Sequence, residues 1–138
     1  MELLRLPEGR LDAQRVSALL DIPVLRRRFS LDEADVEQVT RWIRELGIYW
    51  GSDAKALAEM DLPIGGTHTW RGATDRLLLG FALGDSDTAF ADCSPASPGD
   101  ATLAQVVGRW RSFLEQLINL YDTLTLAHTL PEWIVLLN

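Results

Sequence analysis

GIYWGSDAKALAEMDLPIGGTHTWRGATDRLLLGFAL, residues 47–83, is the stretch whose reading decides the fold. It holds two of the five tryptophans, Trp50 and Trp70, one of the two histidines, His68, and the leucine run 77–79. From Trp70 to Leu83 the apolar positions Trp70, Ala73, Leu77 and Phe81 recur at helical spacing, and Leu78 widens the stripe. Residues three and four apart share a helix face, so the pattern predicts an amphipathic helix with a broad buried side. Before it, Asp53 is placed to cap a short helix carrying Leu57 and Met60, which Pro63 ends. Gly65-Gly66 is a turn; it lacks the Lys-Ser/Thr of a phosphate loop and no strand leads into it.

The same periodicity extends outward. Asp12 is a helix cap for a segment through Leu20, with Val16, Leu19 and Leu20 as its apolar side. Pro23 restarts the chain, and the following turn ends on Arg26, Arg27 and Arg28. Ser30 and Glu33 have the spacing of a capping box. The helix after them carries Val36, Val39, Ile43 and Leu46, with Trp42 at the edge of the stripe and Gly47 as the glycine just past its end. Asp100 is expected to cap the longest helix, reaching about His128, with Trp110, Leu117 and Leu124 in its core stripe, and Pro131 opens a last helix. Residues 84–100, GDSDTAFADCSPASPGD, are the one long loop. The expectation is a single all-α, irregular multi-helix domain over residues 1–138.

Composition narrows the functional classes. Thirteen Lys and Arg against twenty Asp and Glu give a net charge of −7, which argues against an autonomous duplex-DNA binder. The charge is uneven. Residues 1–29 hold six basic and four acidic side chains, and residues 30–62 hold three and eight. No apolar run approaches the ~18 residues a membrane span needs, and the start of the chain, with Glu2 and Glu8, is unlike a signal peptide. The one cysteine, Cys93, has no partner for an internal disulfide, and no Cys/His cluster suggests zinc. A cytoplasmic protein without membrane contact is the expectation.

Few residues invite chemistry. His68 with Asp75 is an acid–base candidate pair, yet His68 beside Thr69 reads better as a hydrogen-bonding residue at a helix start. Cys93 lies among Asp85, Asp87 and Asp92, which suppress a thiolate. Trp50, Trp70 and Arg71 suit stacking on single-stranded bases. The competing reading buries both tryptophans and pairs Arg71 and Arg76 with carboxylates. Arg26, Arg27 and Arg28 are either a contact to phosphate or to an acidic partner, or a solvated helix end favoured by the helix dipole. No catalytic residue and no metal ligand is assigned.

The ordered combination GI-x-WG, an acidic helix, LP, a Gly-rich turn, HTW-R and DRLLLG-aromatic-A is similar to the RecC family, the gamma subunits of bacterial exodeoxyribonuclease V (RecBCD). The segment LLRLPEGR onward and the later LPEW fit the same family, so nearly the whole chain is covered. The signature residues carried over are Gly47, Ile48, Trp50, Gly51, His68, Thr69, Trp70, Arg71, Asp75, Arg76, Leu77, Leu78, Leu79 and Gly80. The family has an aromatic and a small residue after HTWR where this chain has Gly72-Ala73-Thr74.

The resemblance implies an internal fragment of a subunit over a thousand residues long. It would be the helical insertion of the second RecA-like half of an inactivated superfamily 1 helicase. It further implies a non-catalytic role in shaping DNA unwinding and Chi-regulated processing during recombinational double-strand-break repair. The partners would be RecB, RecD and the rest of RecC, with DNA met in the full complex. No cofactor is expected in this segment, since ATP and Mg bind elsewhere in the parent helicase and exonuclease. The alternatives are a stand-alone helical protein–protein interaction module and a small enzyme using His68 with a carboxylate. Trp133, Ile134 and Leu137 are expected to drive dimerisation of the isolated chain.

Overall fold

A computed structural model describes residues 9–59, 66–83, 96, 100–126 and 128–137. Seven α-helices lie among the described residues, with no strand: α1 (Ala13–Leu20), α2 (Pro23–Arg28), α3 (Glu33–Glu45), α4 (Ala54–Ala58), α5 (Trp70–Leu83), α6 (Ala104–Thr125) and α7 (Leu130–Leu137). A 3-10 turn at Gly66–His68 leads into α5, and another at Ala101–Leu103 leads into α6. The all-α expectation holds.

Several helix ends form as their sequences dictate. The Asp12 carboxylate accepts from the Arg15 N–H at 3.0 Å and the Asp53 carboxylate from the Ala56 N–H at 2.9 Å, satisfying donors that the first turn leaves open. Gly47 takes a φ of +62° after α3. There its N–H donates to the Arg44 carbonyl at 3.2 Å and the Ile48 N–H donates to the Ile43 carbonyl at 3.0 Å. This pair of bonds is the Schellman arrangement, and glycine adopts its left-handed residue without a Cβ penalty.

Three expectations are corrected. Asp32, not Ser30, caps α3, and its box partner is Asp35, not Glu33. Ser30 sits at φ +54° and turns the chain out of α2 one residue before Leu31 is buried, so it is two residues too early to cap α3. Trp42, placed at the edge of its stripe, is 2% exposed and belongs to the core. The longest helix ends at Thr125, not near His128, and Asp100 caps the 3-10 turn ahead of it through the Thr102 N–H. Met60, Pro63, Gly65, Cys93 and all of the 84–100 loop except Ala96 and Asp100 lie outside the described residues.

The core gathers from α1, α3, α5 and α6. Val16, Leu19 and Leu20 of α1, Val39, Trp42 and Ile43 of α3, Trp70, Ala73 and Leu77 of α5, and Val107, Trp110 and Leu114 of α6 belong to one buried cluster. Within it α1 contacts α3 and α5 contacts α6. Along α6 the adjacent residues Val106 and Val107, and Phe113 and Leu114, are buried, as is Ile118, while Leu120 and Tyr121 are partly buried. A file of rings crosses the interior. Trp70 meets Trp110 edge-on at 5.8 Å, Trp110 stacks on Phe113 at 5.5 Å, and Phe113 meets Phe29 edge-on at 5.3 Å. Aromatic pairs at these separations add to the area they bury.

Candidate functional site

The signature stretch forms a junction between three parts of the chain. On one side the Ala13 N–H donates to the Tyr49 carbonyl at 2.9 Å and the Gly51 N–H donates to the Arg10 carbonyl at 3.0 Å. On the other side the Trp70 and Arg71 N–H groups donate to the carbonyls of Gly51 and Ser52 at 3.1 and 3.0 Å. The Trp70 indole then closes the loop by donating to the Leu11 carbonyl at 2.6 Å. Gly51 has a φ of +86°, where an L side chain is strained, and a Cβ there would lie 3.0 Å from the Leu57 Cδ2 methyl, which would have to give way.

Arg71 is held between two carboxylates from different elements. Its Nη1 bonds Asp53 Oδ2 at 2.7 Å, while Nε and Nη2 bond Glu115 at 3.3 and 3.0 Å. The hydrogen bonds to Glu115 raise the Arg71 pKa, against a burial cost, and Asp53 adds to the rise. Reciprocally, the bond from Arg71 pulls the Glu115 carboxyl below its ordinary range. Burial pushes the Asp53 carboxyl up, but the Ala56 N–H and Arg71 outweigh it and the net shift is downward. Such a forked guanidinium between two anions is a positioning device joining the turn before α4, α5 and α6.

The other signature residues separate. Trp70 is fully buried, whereas Trp50 is half-buried with the Arg10 guanidinium 5.4 Å above its ring, so the reading that buries both tryptophans holds for one. His68 is exposed at the surface and its Nδ1 lies 3.1 Å from the Leu46 carbonyl. It therefore bonds the end of α3, while Thr69 Oγ1 accepts from the Gly72 N–H and does the capping of α5. Asp75 is exposed and pairs with Arg111 at 3.7 Å. It borders a cavity of ≈ 10 Å³ with Arg71, Thr74 and Glu115, and His68 does not line it. The acid–base pair of His68 and Asp75 is thus not assembled. Arg76 is half-buried and its carbonyl accepts from the Ala96 N–H at 3.0 Å, and Gly80 is buried on the core side of α5.

The arginine triplet lies elsewhere, beside a groove between the end of α2 and α6. One half of the groove, ≈ 670 Å³, is bounded by Arg28, Ser30, Gln105, Gly108 and Arg109. The other half, ≈ 330 Å³, has an apolar floor of Leu25, Phe29, Leu117 and Leu120. Arg28 Nη2 donates to Gln116 Oε1 at 3.3 Å across the groove. Arg109 is paired with Asp35 at 3.1 Å. Among the described residues Arg26, Arg27 and Arg28 make no ion pair.

Sequence reading left out Asp35, Asp53 as an ion-pair partner, Glu115 and the groove. Arg111 and Glu115 stand four apart, a spacing that pairs them along one helix. In the fold Glu115 goes to Arg71 and Arg111 to Asp75, because α5 packs against this face of α6. Among the described residues no group of three His, Cys, Asp or Glu side chains is placed to hold a metal ion, and no helix is long and apolar enough to cross a membrane.

Against known proteins the whole chain, residues 1–138, matches the family model described as the fourth domain of the RecBCD enzyme subunit RecC. It is 36% identical over 134 residues to the RecBCD enzyme subunit RecC of Escherichia coli K12, covering 97% of this chain and 12% of that protein. It is 32% identical to the RecC subunit of Mycolicibacterium smegmatis and 29% identical to that of Haemophilus influenzae, with 96% of this chain covered in each case. It spans 12% and 11% of those two relatives. With its signature folded into one junction and matched from end to end, the chain belongs to the RecC fourth-domain family.

Proposed function

We propose that the chain is a non-catalytic helical domain that helps shape a RecBCD-type helicase and nuclease during recombinational repair of double-strand breaks. The observation that carries this is the Arg71 clamp. The most conspicuous cation of the signature is consumed in tying α5 to Asp53 and Glu115. The indole of Trp70 is likewise spent on the Leu11 carbonyl, so the signature maintains a shape and presents no reacting group. Such a single domain over residues 1–138 acts as the helical insertion in the second RecA-like half of an inactivated motor. It would sit among RecB, RecD and the rest of its own subunit in the cytoplasm. DNA unwinding and Chi-regulated processing are done by the assembly, with ATP and Mg bound elsewhere and no cofactor held here.

A second reading, a DNA path along this domain, is favoured by one observation: the Arg26–Arg28 turn carries three cations with no carboxylate partner among the described residues. Titration of the chain with single-stranded and forked DNA over a salt series separates the two. The scaffold reading expects no binding near physiological salt. Micromolar binding that weakens steeply with salt and is lost on replacing Arg26, Arg27 and Arg28 by Ala would replace it with the path reading.

A further inference from the structure

The groove between α2 and α6 combines an apolar floor with a cation, Arg28, whose partners among the described residues are uncharged: the Gln116 amide and the Phe29 ring. Arg28 lines both halves without a carboxylate partner among the described residues, with Arg26 and Arg27 just before it on α2. Among the described residues no Asp or Glu lines either half, although the chain as a whole carries −7. A surface that concentrates positive charge on an acidic molecule selects a partner of opposite sign. The floor selects further. Phe29 is half-buried, set edge-on to Phe113 at 5.3 Å, with the Arg28 guanidinium 5.9 Å from its centre. Base stacking needs a bare ring face, which this ring does not offer. Aliphatic side chains on Leu25, Leu117 and Leu120 are suited to the apolar stripe of an amphipathic helix.

We propose that this groove docks an acidic amphipathic segment of a partner polypeptide. Its apolar residues seat on Leu25, Phe29 and Leu120, and its carboxylates face Arg28, with Arg26 and Arg27 adding to the positive charge at this end of α2. The proposal rests on the reading of the chain as a scaffold within a multi-subunit assembly, and names the surface and the chemistry by which it holds a neighbour.

The test uses the full-length subunit that contains this chain, purified with its partner subunits. Gly108 borders the groove on α6, and a Cβ built there meets nothing within 4 Å, so p-benzoylphenylalanine is introduced at that position. After irradiation the cross-linked peptide is sequenced by mass spectrometry. The expected product is a partner-subunit peptide with apolar residues at helical spacing and at least two carboxylates. Its yield should fall several-fold when Arg27→Glu and Arg28→Glu are combined. Both side chains are exposed, so the melting temperature should fall only slightly, by the loss of the Arg28 to Gln116 bond and of a favourable charge at the helix end. No cross-link, a cross-link to a second copy or to a peptide without carboxylates, or a yield indifferent to the charge reversal overturns the docking proposal and leaves the scaffold reading intact. A cross-link to DNA overturns both.

Discussion

The indole of Trp70, fully buried, donates to the carbonyl of Leu11, itself a buried residue held at φ +53°. A left-handed leucine is costly and persists only where neighbours hold it, and here the Trp70 bond and the Ala13 to Tyr49 bond do so. Trp70→Phe keeps most of the ring volume and deletes the donor, leaving a buried carbonyl unsatisfied. The expected loss is about 1–3 kcal/mol in urea unfolding, against about 3–5 kcal/mol for Trp70→Ala. A Phe variant as stable as the parent would show that the bond is dispensable. Arg71 makes a second residue-level prediction. The Glu115 and Asp53 carboxyls titrate below their ordinary values of 4.5 and 3.8 in the fold. Their stabilisation is therefore complete above about pH 4.5 and lost as pH falls through the depressed values. The clamp is about a third exposed, so solvent screening limits it to about 1 kcal/mol. Arg71→Met should lower the melting temperature at pH 7 and converge on the parent as pH falls through the depressed carboxyl values. A constant gap across that range would remove the carboxylates from the explanation. Of these contacts, sequence alone made legible that Trp70 is core and that Arg71 seeks carboxylates. It did not show which carboxylates, because Glu115 is 44 residues away.

At the scale of elements, local signals were read well where the cap and the helix lie within a few residues of each other. Asp12, Asp53 and Gly47 do what their positions suggest because capping is a matter of one turn of backbone. The start of α3 shows the limit. Ser-x-x-Glu has the right spacing, but burial of Leu31 against the core moves the turn, and Asp32 with Asp35 takes over the box. Asp35 then carries a further bond from Arg109, which ties α3 to α6. Asp32→Ala should cost about 1 kcal/mol, a typical value for a lost cap, whereas Glu33→Gln should be near neutral. Thermal unfolding of the two variants decides it, and the reverse order would restore Ser30 and Glu33 as the cap.

In the whole molecule, the file Trp70–Trp110–Phe113–Phe29 connects the signature junction to the floor of the α2/α6 groove. One packed core thereby underlies both surfaces. At the far end of α6 the apolar surface is uncovered: Leu130, Ile134 and Val135 of α7 are exposed, while Trp133 is half-buried beside His128 at 5.3 Å. The side chain of Leu137 lies outside the described residues. Self-association of the isolated chain through α7 is the expected outcome, read as a concentration-dependent mass in sedimentation equilibrium. Ile134→Glu combined with Val135→Glu should return a monomer, and a parent that is monomeric at every concentration would refute the expectation. What the sequence by itself determined was the helical class, most helix boundaries and the apolar faces, because 3.6-residue periodicity and capping act over a few neighbours. The tertiary structure alone decided that Arg71 joins Asp53 to Glu115, that Trp50 lies near the surface, and that Arg28 of the arginine triplet borders an apolar groove. Those depend on which helix faces meet, and that is settled by packing between residues far apart in the chain.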